Sequence, residues 1–166
     1  LLVAGATGSG KSRSGVFSPL AQLIHLNGPD RLNVWLLDSV KREATTLFGD
    51  APQVERSVIA EDGDQVVDLL EAFTASMDAR YRAQQGREFD PARSDAKLLI
   101  VEEWSDLRDL LLEKDQLERV VRAVNRVGQL GRAAGHHIIL VTQKASAEVI
   151  PPRLKSNFKG RLSGYF

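Results

Sequence analysis

Three stretches have the residue types and spacing to do chemistry. The first is Gly5-Ala6-Thr7-Gly8-Ser9-Gly10-Lys11-Ser12, which fits the Walker A pattern G-x-x-x-x-G-K-[ST]. Its glycines let the backbone turn tightly, so that successive N–H groups converge on phosphate oxygens. A helix that follows would aim its positive end at the same point. Lys11 reaches for the β- and γ-phosphates, and the Ser12 hydroxyl suits the Mg²⁺ that accompanies them. Arg13, next in line, is counted with this nucleotide-binding stretch. The second is Glu102-Glu103, which follows the apolar run Leu98–Val101 as in a Walker B strand. Here Glu102 would serve the Mg²⁺ shell and Glu103 would polarise the attacking water. The third is Thr142-Gln143 at the end of another apolar run, where an amide can sit beside a γ-phosphate and sense it. Together they predict a site for a nucleoside triphosphate with Mg²⁺.

The elements that must position these groups alternate between strand and helix. Strands are expected over 1–4, 32–38, 97–103 and 137–142, with a further one over Val54–Ile59. The long, nearly all-apolar ones read as strands covered on both faces. Helices are expected from Lys11 to Leu26 (with Pro19 as a kink or local break), as a turn through Leu47, and from Asp62 onward. Others are expected over 104–113 and 115–134. Asn27-Gly28-Pro29 should stop the first helix through a left-handed cap, and Gly135 should cap the helix ending at Ala134. Val66, Leu69, Leu70, Phe73, Met77 and Tyr81 share one face of the helix after Asp62, and that face should be core. The fold class is therefore α/β, a three-layer P-loop arrangement with a mainly parallel central sheet.

Some residues admit two readings. Asp38 and Lys41 stand where open α/β sheets place ligands, or they are a helix cap and a solvated lysine. Arg119, Arg122 and Arg126 form an outward face that is solvated, or that meets phosphates or a neighbouring subunit. Gln84–Asp95 reads as a flexible surface loop, and His136-His137 as an unlikely metal pair, because adjacent strand side chains point to opposite faces. Pro151-Pro152 reads as a rigid turn before a last strand carrying Arg161.

Composition narrows the classes. In 166 residues, 22 Lys and Arg balance 22 Asp and Glu, so any nucleic-acid contact has to come from a local basic face. The absence of cysteine excludes disulfides and thiolate metal sites. No apolar run approaches a membrane span. The chain starts on the strand that feeds the phosphate loop and ends entering another, so it is expected to be an excised core truncated at both ends, one domain over 1–166.

These blocks, in this order, resemble the FtsK/SpoIIIE family of double-stranded DNA translocases, which are RecA-like ring ATPases. The first twelve residues are similar to the family's Walker A almost letter for letter. Asp38-Ser39-Val40-Lys41 resembles its I-D-P-K region, and Met77-Asp-Ala-Arg-Tyr81 its M-x-R-R-Y helix end. Leu99-Ile-Val-Glu-Glu-Trp-Ser-Asp-Leu107 stands where the family has V-L-V-D-E-F-A-D-L. Gly131-Arg-Ala-Ala-Gly135 and Thr142-Gln143 resemble its A-R-A-A-G…A-T-Q block.

The resemblance implies Lys11 and Ser12 at the phosphates and Mg²⁺, Glu103 as catalytic base and Gln143 as γ-phosphate sensor. It implies Arg132 as a finger entering a neighbour's site, with Arg161 a second candidate. The implied partners are double-stranded DNA and further copies of the chain in a ring, a hexamer. The setting would be cytoplasmic, with any membrane tether supplied from outside this chain, and the role chromosome segregation or conjugative transfer. A type VII-like protein-secretion motor and a catalytically weakened ring subunit are the alternatives. Two departures stand out. Glu102 replaces the family's Asp, moving the carboxylate outward by about 1.5 Å, so metal coordination is expected to loosen or shift. Trp104 replaces Phe and points to a divergent branch, such as a plasmid or integrative-element transfer protein.

Overall fold

Strand β2 (Leu32–Asp38) is apolar at almost every position because both of its faces are covered. Val34 and Leu36 face one layer of helices, and Trp35 and Leu37 face the other. Strand β4 (Ala96–Val101) divides its side chains in the same way, Leu98 and Ile100 against Leu99 and Val101. This alternation on a doubly covered sheet explains why these segments read as continuous apolar runs. The computed structural model describes residues 1–87, 89–90 and 94–164.

Among the described residues, six strands form one sheet in the order β3-β2-β4-β5-β1-β6, and every pair is parallel. The remaining strands are β1 (Leu2–Ala4), β3 (Val54–Ile59), β5 (His136–Thr142) and β6 (Arg161–Ser163). Helices α1 (Ser18–Leu26) and α2 (Glu43–Phe48) belong to one face, with Phe17, Leu20 and Ala44 in its core. The other face carries α3 (Gly63–Ala83), α4 (Trp104–Leu110), α5 (Lys114–Ala134) and α6 (Pro152–Lys155), around Phe73, Met77, Trp104 and Val120. The three-layer α/β expectation holds, and the sheet is wholly parallel. No described helix is long and apolar enough to cross a membrane.

Helices α3 and α5 run side by side in the same direction, as consecutive crossovers between parallel strands require. Arg119 makes a two-pronged bond to Glu71 at 2.9 and 2.7 Å, and Arg126 bonds Asp78 at 3.1 Å, two turns further along both helices. The predicted arginine face is therefore mostly committed to its neighbouring helix; Arg122, the third, is exposed and adds positive charge beside Glu71. Exposed pairs of this kind are screened by solvent, so they set register more than stability.

Several local expectations are corrected. The chain after Ser12 begins as a π-helical turn, Arg13–Phe17, and becomes α-helical only at Ser18, one residue before Pro19. Asn27 ends α1 in an extended conformation, and its side-chain amide donates to the Leu23 carbonyl at 2.8 Å, so the stop is a side-chain cap and not a left-handed one. Tyr81 is exposed at 40%, beyond the buried stripe that ends at Met77. The strand expected over 97–103 stops at Val101, and α4 stops at Leu110. The 151–152 proline pair is no bare turn: Pro151 caps the short helix α6. The loop expected over Gln84–Asp95 falls partly outside the described residues.

Trp104 is fully buried and its indole N–H donates to the Val149 carbonyl at 2.8 Å, tying α4 to the segment after β5. Trp104→Ala should lower stability by about 3–5 kcal/mol through the cavity it leaves. Trp104→Phe should cost about 1–2 kcal/mol through the unpaired carbonyl. Urea unfolding midpoints measure both; a loss under about 1 kcal/mol for the alanine variant would contradict this packing.

Candidate functional site

The phosphate loop leaves β1 at Ala4 and depends on glycine at three points for two reasons. Gly8 and Gly10 have φ of 82° and 78°, which side chains rarely adopt. Gly5 is restricted by space: a Cβ there would lie 2.6 Å from Ser9 Oγ and 3.2 Å from the Gly164 backbone. Lys11, Ser12 and Arg13 then follow on the rim of a cleft of about 520 Å³.

Opposite the loop stand the two carboxylates after β4. Ser12 Oγ–H donates to Glu102 Oε1 at 2.6 Å, so the longer side chain still closes on the loop hydroxyl. Glu102 Oε2 is buried with no hydrogen-bond partner. Burial pushes the Glu102 carboxyl from about 4.5 up to about 7, and the neighbouring Glu43, Asp38 and Glu103 carboxylates push the same way. A hydroxyl and a carboxylate with one unused oxygen fit Mg²⁺, which takes few protein ligands and fills its remaining positions with phosphate and water.

Glu103 caps α4 with φ 56°, in the left-handed region. Its Oε1 accepts the Gln143 backbone N–H at 3.0 Å and the Ser105 hydroxyl. Its Oε2 lies 3.7 Å from Lys11 Nζ and 3.9 Å from Lys41 Nζ. The Gln143 side chain accepts a bond from Thr7 Oγ1 at 3.0 Å, so this residue touches the phosphate loop with its amide and Glu103 with its backbone. Lys11, Ser12, Glu102, Glu103 and Gln143 thus meet in one cleft, with Thr7 and Arg13 along it.

The ambiguous pair after β2 separates. Asp38 is buried, its Oδ2 accepts the Thr45 N–H at 2.9 Å, and it caps α2. Lys41 lines the cleft and pairs with Asp106 at 2.9 Å. Sequence reasoning missed Ser105 and Asp106, whose signal was their place two and three residues after Glu103, in the first turn of α4. Glu43, also on the cleft, gave no signal. The structure does not bring Arg132 to this cleft. It is exposed on the last turn of α5, grouped with His136 and His137 at the opposite end of β5. Arg161 donates to the Phe158 and Lys155 carbonyls at 3.0 and 3.2 Å. Of the two histidines, His137 is exposed, and His136 is buried between Ser76 Oγ and the Ala134 carbonyl, burial pulling it down to about 4.

The raised Glu102 carboxyl has a measurable consequence. Between pH 4.5 and 7 the folded chain holds more of a proton at Glu102 than the unfolded one, so this group's contribution to stability falls as pH rises, opposite in sign to that of His136. In metal-free and nucleotide-free buffer, Glu102→Gln should remove this slope and stabilise the chain at pH 8 by up to about 3 kcal/mol, with little effect at pH 4.5. Thermal unfolding of both proteins across the window checks it, and superimposable curves would contradict it.

A family model, FtsK/SpoIIIE family, matches residues 1–97. DNA translocase FtsK of Campylobacter jejuni is 31% identical over 98% of this chain, which corresponds to 18% of that protein. The same-named protein of Tropheryma whipplei is also 31% identical over 98% of the chain and 24% of its own length. The chain thus spans roughly a fifth of these relatives. Among solved structures, the pCW3 conjugation coupling protein TcpA, in its monomer form with ATPγS, superposes with a TM-score of 0.72 at 23% identity. It covers 100% of this chain and 48% of that one. The cytoplasmic domain of the Thermomonospora curvata type VII secretion ATPase EccC gives 0.74 at 20%, over 98% of this chain and 19% of that one. These structures share the RecA-like P-loop fold. With the family match extending over more than half of its length, the chain belongs to the FtsK/SpoIIIE family.

Proposed function

We propose that the chain is the ATP-hydrolysing core of a motor that moves double-stranded DNA, working as a ring of identical copies. The observation that carries this is the setting of Glu103. One carboxylate oxygen is held by two hydrogen bonds and the other faces Lys11 across the phosphate-loop cleft. In that reading the loop N–H groups and Lys11 hold the ATP phosphates, and Glu103 Oε2 accepts the proton of the attacking water. Gln143 joins Thr7 of the loop to Glu103, so the terminal phosphate and the base sense one another through it. Ser12 and Glu102 would hold Mg²⁺, which neutralises charge on the phosphates. Relatives named DNA translocase FtsK support DNA as the cargo. Arg132, exposed and far from its own cleft, suits a finger offered to the next copy.

ATP turnover by the full-length protein, with and without duplex DNA, tests the reading. Turnover should rise with DNA and be lost in Lys11→Ala and Glu103→Gln. Hydrolysis indifferent to DNA would favour a polypeptide cargo, and nucleotide binding without turnover would favour a structural ring subunit. Arg132→Ala should lose about 10³-fold in turnover while still binding nucleotide. Mixing Arg132→Ala with Lys11→Ala should restore part of the rate, because an intact finger then meets an intact cleft. No recovery in the mixture would rule out an arginine supplied in trans.

A further inference from the structure

Lys41 is the second ammonium group beside Glu103, and no role for it follows from the phosphate loop. It comes from the segment between β2 and α2, while its partners lie on the first turn of α4. Its Nζ sits 2.9 Å from Asp106 and 3.9 Å from Glu103 Oε2, so one side chain spans two acids three residues apart. The Glu103 side chain is only 3% exposed, whereas those of Lys41 and Asp106 are 40% and 36% exposed. The chain bends sharply on both sides of this contact. Among the described residues three non-glycine positions have positive φ, and two of them are Glu103 and Arg42, the residue after Lys41. Left-handed backbone at such residues persists only where its surroundings fix it. The Arg42 turn ends the segment as Lys41 reaches α4, and the Glu103 turn brings its carboxylate toward Lys41.

We infer that Lys41, anchored by Asp106, is a positioning residue that holds Glu103 Oε2 in place for the reaction. Oε1 is fixed by Gln143 and Ser105, but two bonds to one oxygen leave the carboxylate free to swing about them. A cation on the Oε2 side removes that freedom. Lys11 also lies on that side at 3.7 Å, but on the proposed reading it is committed to phosphate. Lys41 is tethered to Asp106 and keeps its place when phosphate draws Lys11 away. The inference rests on Glu103 acting as the base.

Kinetics of the full-length protein separate positioning from phosphate binding. Lys41→Met should lower kcat by about 10- to 100-fold, the scale of a misplaced reacting group. The Kd of a fluorescent ADP analogue should stay unchanged. Lys41→Arg should recover most of the turnover, and Asp106→Asn should fall between wild type and Lys41→Met. An unchanged kcat in Lys41→Met would overturn the inference. So would a Kd that weakens in step with kcat, which marks a phosphate ligand, or a folded Lys41→Arg with no recovery. Hydrogen exchange over residues 103–107, measured without nucleotide, should be faster in Lys41→Met than in wild type, and equal rates would also overturn the inference. If exchange responds but wild type never hydrolyses ATP, the hydrolase reading fails while the hold on Glu103 stands.

Discussion

Two ionisable carboxyls buried side by side at the end of β4 constrain everything around them. Glu102 and Glu103 are 3% and 2% exposed, and a buried carboxylate without partners is strongly disfavoured. The two are accommodated differently. Glu102 has one hydroxyl partner and rises toward neutral pH. Glu103 gathers a backbone N–H, a hydroxyl and two ammonium groups. In a continuing strand these neighbours would point to opposite faces of the sheet. The left-handed turn at Glu103 ends the strand and sets both acids on the same cleft, at a backbone cost of about 1–2 kcal/mol.

The strand order makes that cleft possible. Because β5 lies between β1 and β4, the residue that follows β5 emerges between the phosphate loop and the two acids. Gln143 is that residue, and its two functional halves reach in opposite directions, the side chain to Thr7 and the backbone to Glu103. A sheet with β1 directly beside β4 would leave no strand end between loop and acids. The wholly parallel arrangement also brings β1, β2, β4 and β5 to a close at the same edge, where Lys11, Lys41, Glu103 and Gln143 gather.

What could be read from sequence divides along the range of the interaction. The doubly covered strands, the Val66–Met77 stripe and the glycine cap at Gly135 depend on local pattern, and they appear in the fold as expected. So do the residues that form the cleft from one chain segment each, such as Lys11 and Ser12. Pairings between distant segments were not legible. Lys41 with Asp106, Arg119 with Glu71 and Thr7 with Gln143 are separated by 48 residues or more, and no periodicity encodes a partner. Asn27 shows a third kind of failure: the residue type announces a helix stop, but a side-chain amide can deliver it as well as a left-handed backbone. For Glu102 the residue type announces a longer reach, but the 2.6 Å contact with Ser12 that this reach makes depends on the fold around it.

The distribution of the remaining cations argues for what completes the site. Phosphoryl transfer needs positive charge on the side of the terminal phosphate away from the loop. Beyond the phosphate loop the cleft is lined by Lys41, which is engaged with Asp106 and Glu103. Arg132 stands at the far end of β5, a strand of seven residues or roughly 20 Å. No rearrangement short of unfolding the sheet brings it to its own cleft. A surface that carries Arg132 at one end and the cleft at the other is matched either by a two-fold contact that lays two copies antiparallel or by head-to-tail association. Head-to-tail association satisfies every cleft only when the rotation closes into a ring. On the proposed reading, in which Arg132 serves the reaction, its separation from Glu103 within one chain is the physical reason that the reaction would need a second copy.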